Sequence, residues 1–144
     1  MLVQNILKTK AINKIYTITK DHTIDDAVSD LSAHRVGALI VSSDGKTIDG
    51  ILSERDIIRE MGKRGTACLS EKVGEMMTGA VSCCTKSDSA ELVLETMTKG
   101  RFRHMPILEN GKLVGLISIG DVVKARLEEM ANENSAMVDM IRGM

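Results

Sequence analysis

The apolar residues of this chain follow one pattern twice along its 144 residues. Each half contains a four-residue apolar face at helical spacing, and the second face lies 66 residues after the first. The two faces consist of Ile24, Ala27, Val28 and Leu31 and of Ala90, Val93, Leu94 and Met97. This match in spacing predicts an internal repeat, which fixes the architecture into which any motif must fit.

A continuous apolar run follows each of these helices and predicts a strand buried on both faces. The runs are residues 36–41 (VGALIV) and 105–108 (MPIL). Each leads through a tight turn to another strand; the turns are Asp44-Gly45 and Asn110-Gly111, and the strands cover 50–52 and 113–117. Pro106 places its strand at a sheet edge or beside a bulge, and Gly50 and Gly115 indicate a bulge or a close backbone approach.

Shorter elements precede each helix. One apolar helical turn is predicted in each half, from Val3, Ile6 and Leu7 and from Val73, Met76 and Met77. Residues 15–18 (IYTI) predict a short strand with Thr17 at its end, and Cys83 stands at the corresponding place in the second half. Each half therefore reads strand, helix, strand, turn, strand, helix, which predicts an α/β fold.

In both halves the last strand runs straight into a helix through a Ser-x-x-Asp corner. Ser53 and Asp56 form the first corner, and Ser118 and Asp121 form the second, 65 residues later. This spacing is typical of a helix capping box. A helix N-terminus also presents N–H groups to a phosphate, and an aspartate one turn in can accept hydrogen bonds from both hydroxyls of a ribose. The residues leave capping alone and ligand contact both open.

The composition narrows the function classes. Apolar residues make up 43% and charged residues 27%, as in a globular protein. The formal charge of −1 disfavours a protein dedicated to the nucleic-acid backbone. Only 1% of the residues are aromatic, so bases cannot stack on successive rings, and nucleic acid is an unlikely partner.

Cysteine and histidine spacing carries no catalytic signal. The cysteines, Cys68, Cys83 and Cys84, form an odd and irregular set that fits a reducing compartment. The histidines, His22, His34 and His104, lack the spacing of metal ligands. No apolar run approaches the roughly 18 residues of a membrane span, and the N-terminus lacks a signal-peptide cleavage region. We expect a cytoplasmic protein that is not an enzyme, holds no metal and does not enter a membrane.

The order of elements and the two corners resemble the cystathionine-β-synthase (CBS) domain, two of which in tandem form a Bateman module. The resemblance runs from about Val3 to Glu129 and is carried by residues 36–41 with 50–56 and by residues 103–107 with 115–121. It implies two β-α-β-β-α repeats packed with pseudo-twofold symmetry through their sheets. We assign residues 1–68 to the first domain and 69–144 to the second with its C-terminal helix.

The resemblance also implies a function. CBS pairs bind adenosine nucleotides in the clefts between the two domains, pass the ligand state to an enzyme or transporter, and commonly associate as flat dimers. We expect AMP first, with NADH or NAD, ADP, ATP and S-adenosylmethionine as alternatives, and a homodimer that regulates another protein. The expected ligand residues are Thr17, Gly37, Ala38, Ser53, Arg55, Asp56, Arg101, Arg103, His104, Met105, Pro106, Ser118, Ile119, Gly120 and Asp121.

Within this set, Arg101, Arg103 and His104 form the densest cationic group of the chain. They could neutralise a phosphate or form a solvated basic edge. Gly37 stands where the second half has His104, so the first cleft looks poorer in donors, and Arg55 could compensate. Thr17 and Cys83 also differ, which weakens the case for two equivalent sites.

Two other functions fit the residues. One is a ligand-free interaction module that uses its dimer surface and its methionine-rich tail, residues 136–141. That tail could instead fold back on its own core. The other is a thiol-based redox protein that uses Cys83 or Cys84.

Overall fold

The computed structural model describes residues 1–10 and 14–143. Six helices and five strands follow the predicted order in the described residues, with a 3-10 helix at Gly65–Ser70. The helices are α1 Val3–Thr9, α2 Ile24–His34, α3 Glu54–Arg64, α4 Val73–Met76, α5 Ala90–Gly100 and α6 Ile119–Ile141. The strands are β1 Thr17–Ile18, β2 Ala38–Val41, β3 Gly50–Ser53, β4 His104–Glu109 and β5 Lys112–Ser118. None of the described helices is both long and apolar enough to cross a membrane.

The two sheets are related but unequal. In the first, β2 lies between a parallel β1 and an antiparallel β3. In the second, β4 and β5 pair antiparallel, and the first strand is reduced to a single parallel bridge between Cys84 and Ile107. Thr17 opens the two-residue β1, whereas the sequence pattern placed it at the end of a four-residue strand.

Strand register corrects one predicted correspondence. Ala38 pairs with Ser53 as His104 pairs with Ser118, so Ala38 is the counterpart of His104. The predicted alignment of Gly37 with His104 is wrong by one residue. Counting the 66-residue repeat from the helices sets Gly37 against Arg103 instead.

Turns and irregularities in the second sheet follow the prediction. Asn110 and Gly111 both have positive φ, 52° and 76°, as a tight hairpin requires. The register shifts between Ile107 and Leu108, so the bulge lies one residue beyond Pro106 and opposite Gly115. Pro106 lies on the outer side of β4, where its carbonyl accepts a hydrogen bond from the Cys84 N–H.

Each repeat completes its core with a short helix from the other half of the sequence. Val3, Ile6 and Leu7 of α1 are buried with α5, β4 and β5. Val73 of α4 is buried with α2, β2 and β3. Backbone bonds fix both exchanges, from Val73 N–H to the His22 carbonyl and from Val3 N–H to the Asp88 carbonyl. The division at residue 68 therefore follows sequence order only, and it stays a prediction.

The strand β2 shows how the repeats meet. Leu39 and Val41 lie in the first core, whereas Ala38 and Ile40 alternate to the opposite face and belong to neither core. Ala38 and Ile40 are nevertheless 3% and 0% exposed, since the second repeat covers this face of the sheet. Packing through the sheets with pseudo-twofold symmetry agrees with the expected fold.

The predicted apolar helix faces are only partly buried. Ile57 and Val122 lie in the cores, but Ile58, Val123 and Leu127 are 67%, 42% and 61% exposed. These three point away from their own sheets, because each helix carries more apolar positions than one sheet can cover. The tail continues α6 as a straight extension, and its apolar residues are exposed, so the alternative that it folds back on its own core is wrong.

Gly50 sits under the exchanged segment and predicts a test of this packing. A Cβ atom there would lie 2.6 Å from Met77 Sδ and 2.7 Å from the Thr78 carbonyl oxygen. Thr78 cannot retreat freely because it exchanges two backbone hydrogen bonds with Ile51. We expect Gly50→Ala to lower the free energy of unfolding by about 1–3 kcal/mol, measured by urea denaturation.

Gly62→Ala is the matched control. Gly62 lies within α3, and a Cβ atom there meets nothing within 4 Å. The same change should stabilise the protein by up to about 1 kcal/mol, because alanine is the better helix former. Equal effects of the two substitutions would contradict the close approach at Gly50.

Candidate functional site

Both Ser-x-x-Asp corners form complete capping boxes. Ser53 Oγ accepts from the Asp56 N–H at 3.2 Å, and Asp56 Oδ2 accepts from the Ser53 N–H at 3.0 Å. The second corner repeats this geometry at 3.1 and 2.9 Å between Ser118 and Asp121. The predicted capping is confirmed at both sites, and contact with a ligand stays a prediction. Both aspartates remain partly exposed, so capping does not remove them from solvent.

Lys10 distinguishes the second corner from the first. Its Nζ lies 3.0 Å from Asp121 Oδ2 and donates to the Leu116 carbonyl oxygen at 2.7 Å. Burial opposes ionisation of Asp121, but hydrogen bonds from the Ser118 N–H and from Lys10 outweigh it and lower the pKa of Asp121. At the first corner the cation is Arg59, 3.3 Å from Asp56 Oδ1 and more exposed.

The sequence pattern did not predict Lys10 as part of the site. Its partner Leu116 is 106 residues away in sequence, and no motif connects them. The repeat itself carries a signal, because the counterpart of Lys10, 66 residues on, is Met76. A lysine that replaces an apolar residue at the end of a shared helical turn marks a position where the two halves differ in chemistry.

His104 joins the two repeats. A Cβ atom on Gly37 would lie 3.2 Å from His104 Cε1 and 3.5 Å from Glu54 Oε1, so the imidazole rests against the start of the first repeat's α3. Burial lowers the pKa of His104, and the positive charges of Lys10 and Arg103 act in the same direction. The carboxylates of Asp121 and Glu54 oppose this shift. His104 therefore faces charges from both corners at once.

Backbone contacts tie the strand starts to the helices they precede. The Gly37 carbonyl accepts from the Glu54 N–H at 2.9 Å, and the Arg103 carbonyl accepts from the Ile119 N–H at 2.8 Å. These equivalent bonds hold Ala38 and His104 beside the helix N-termini. Gly120 follows within the first turn of α6 and is exposed.

The predicted cations differ in their roles. Arg101 ends α5 with φ 56°, and its first-half counterpart Arg35 ends α2 with φ 55°. The backbone role is thus shared between the repeats. The side chains of Arg55, Arg101 and Arg103 are exposed, and none forms an ion pair with another described residue. They are free to meet an anion.

The predicted adenine segments lie deeper. Met105 is 2% exposed and its side chain belongs to the second core, so only its backbone can face a ligand. Ala38 and Pro106 are buried between the repeats, and Thr17 is exposed at the far side of the first sheet. In the described part of the chain, no group of three or more metal-ligating side chains comes together.

The burial of His104 predicts a pH dependence of stability. Its folded pKa lies below its ordinary value of 6.5, so the folded state binds fewer protons than the unfolded state near and below that pH. Stability that is present above pH 6.5 is therefore lost as the pH falls. Asp121 has its pKa lowered below 3.8 and contributes only under more acidic conditions.

We expect His104→Gln to reduce the loss of unfolding free energy between pH 7.5 and 5.5 by up to about 1 kcal/mol, since one pKa unit corresponds to about 1.4 kcal/mol. Urea denaturation at the two pH values measures this. His22→Gln, which removes an exposed imidazole, is the control. The same pH dependence in wild type and His104→Gln would contradict a buried neutral imidazole.

Comparison with known proteins agrees with this architecture. The family model of the CBS domain matches residues 4–63 and 73–128. The CBS domain-containing protein CBSX3 of Arabidopsis thaliana, a mitochondrial protein, is 35% identical over 129 residues. The match covers 87% of this chain and 63% of that protein, so the chain spans less than two thirds of this relative.

Solved structures show the same fold. A CBS-domain containing protein from Agrobacterium tumefaciens gives a TM-score of 0.82 at 40% identity, covering 88% of this chain and 99% of that one. A CBS domain protein from Pyrobaculum aerophilum, solved in complex with AMP, gives 0.76 at 24% identity, with 92% and 99% covered. The chain therefore belongs to the CBS-domain family and carries the domain twice.

Proposed function

We propose that the chain is a regulatory module that binds an adenine nucleotide, AMP in the first place, at the Ser118–Asp121 corner. One observation carries this proposal: a capped helix N-terminus with a partly exposed aspartate lies beside Lys10, Arg103 and His104. Family membership and the AMP complex of the Pyrobaculum aerophilum relative support the ligand class.

The chemistry of the corner suits a nucleotide in two parts. Asp121 accepts its described hydrogen bonds at Oδ2, which leaves Oδ1 as the natural acceptor for a ribose hydroxyl. The N-terminus of α6 at Ser118, Ile119 and Gly120 presents its dipole and N–H groups toward an anion. Arg101 and Arg103 then supply exposed charge for charge-assisted bonds to phosphate.

The first corner supports a second, weaker cleft. Ser53 and Asp56 repeat the geometry, and Arg55 is an exposed cation directly after the cap. Gly37 and Ala38 replace Arg103 and His104 there, so fewer donors remain. Occupation of both clefts favours the alternatives NADH or NAD, and additional phosphates favour ADP or ATP. Thr17, Met105 and Pro106 complete the proposed ligand set through backbone or edge contacts.

The proposed action is regulatory. A ligand that contacts elements of both repeats can shift the population of module conformations, provided that it binds one state more tightly. We propose that a homodimer passes this state to a partner protein in the cytoplasm. The three cysteines, all described and all without disulfides, are consistent with a reducing compartment.

A ligand-free interaction module is the second candidate, because Ile58, Leu127 and Met130 are more than half exposed on α3 and α6. The thiol-based alternative has less support. Burial, together with the nearby charges of Asp88 and Cys83, raises the pKa of Cys84 to about 12, and burial also raises the pKa of Cys83. Both shifts leave little reactive thiolate near neutral pH.

Thermal denaturation in the presence of AMP, ADP, ATP, NADH, NAD and S-adenosylmethionine tests the proposal. A ligand at about 100 times its dissociation constant should stabilise the folded state by roughly 2.7 kcal/mol. We expect Asp121→Asn to weaken AMP binding about tenfold or more, because a hydrogen bond to a charged group contributes about 1.5–3 kcal/mol. Asparagine can still cap α6, so the fold is retained.

Asp56→Asn is the matched control at the other corner and should weaken AMP binding less than Asp121→Asn. A larger effect of Asp56→Asn would assign the ligand to the first cleft. If no nucleotide shifts the transition of protein shown to be free of co-purified ligand, the interaction module becomes the better account.

A further inference from the structure

Helix α6 has two apolar faces. Val122 and Ala125, 0% and 5% exposed, pack into the second core. On another side of the same helix, Val123, Leu127 and Met130 are 42%, 61% and 52% exposed. The second face therefore has no cover within the described chain.

This outer face continues along the helix at a coiled-coil period. Its positions are separated alternately by four and three residues, which is the spacing of a heptad's a and d positions. The face, called the α6 seam below, consists of Val123, Leu127, Met130, Asn134, Met137 and Ile141. Leu127, Asn134 and Ile141 fall at a positions, and Val123, Met130 and Met137 fall at d positions.

The last turns of α6 lack other support. Every residue from 131 to 141 is exposed. Contacts with α1 occur only on the side away from the seam, where Asn132 and Ala136 line a groove together with Asn5. An isolated helix of this length is marginal in water, because few hydrogen bonds repay nucleation. Cover for the seam would supply the missing stabilisation.

Asn134 identifies the occupant. We propose that a second copy of this chain packs on the α6 seam in parallel and in register, so that the two Asn134 side chains meet. A carboxamide carries both donor and acceptor and can pair with its own copy. In an antiparallel pair, a positions face d positions, and the Asn134 amide would be buried against Val123 or Met130 without a partner. One polar residue in an apolar seam thus specifies both the partner and its direction.

This inference deepens the proposed homodimer by naming the contact that orients it. It is independent of nucleotide binding and is tested without nucleotide. The seam lies mainly beyond residue 128, where the match to the CBS domain ends. It is therefore a feature of this chain's extension in addition to the repeats.

Disulfide trapping tests the register. Cys83, the exposed cysteine, is first replaced by serine, and Asn134→Cys or Ser135→Cys is then introduced. A disulfide needs Cα atoms within about 4.4–6.8 Å, which a facing a layer provides and the neighbouring outward position does not. We expect mild oxidation to convert most of the Asn134→Cys protein into a covalent dimer on a non-reducing gel. Ser135→Cys should remain at least fivefold less cross-linked.

Association in solution provides the second measurement. Met137→Lys places a charge in the seam and should raise the dimer dissociation constant at least tenfold, measured by sedimentation equilibrium. Ser135→Lys adds the same charge outside the seam and should leave this constant within about twofold. Circular dichroism on both variants checks that the repeats remain folded.

The outcomes separate the seam from the homodimer. A wild-type dimer in which Asn134→Cys and Ser135→Cys cross-link equally or not at all, or in which Met137→Lys has no effect, overturns the seam and leaves the homodimer. A wild-type monomer at 100 μM overturns both. Neither result affects the nucleotide proposal, which rests on the separate thermal measurement.

Discussion

Exchange of the short helices α1 and α4 is the constraint on which the rest of the structure depends. Each repeat lacks one side of its core until the other half of the sequence supplies it, through Val3, Ile6 and Leu7 in one direction and Val73 in the other. The segments that follow these helices are consequently held over the last strand of the opposite repeat. Lys10 reaches the Leu116 carbonyl in this way, and Thr78 pairs with Ile51.

The same exchange makes the two clefts chemically different. Equivalent positions after the exchanged helices carry Lys10 in one repeat and Met76 in the other. The cation sits on Asp121 at the second corner, whereas Asp56 has only the exposed Arg59 from its own helix. Symmetry of the backbone therefore coexists with asymmetry of charge. One cleft can bind an anion more tightly while both keep the same caps.

Local interactions are the part of this structure that the sequence pattern predicts well. The Ser-x-x-Asp corners and the Asn110-Gly111 turn each depend on residues no more than three apart, so residue type and spacing specify them. Lys10 was missed because its contacts cross more than 100 residues. The buried fraction of each helix was also overestimated, since an apolar face looks alike whether it covers its own sheet, as Val122 does, or is exposed, as Leu127 is.

The proposed ligand site and the proposed seam lie on one helix. Asp121 is in the first turn of α6, and the seam follows along its later turns. A nucleotide that draws Lys10 away from Asp121 would loosen the end of α1, which packs along the other side of α6. Such a change reaches the partner subunit only if the seam associates with different free energies in the bound and free states. If α6 dimerised equally well in both states, the helix would connect the two sites without coupling them.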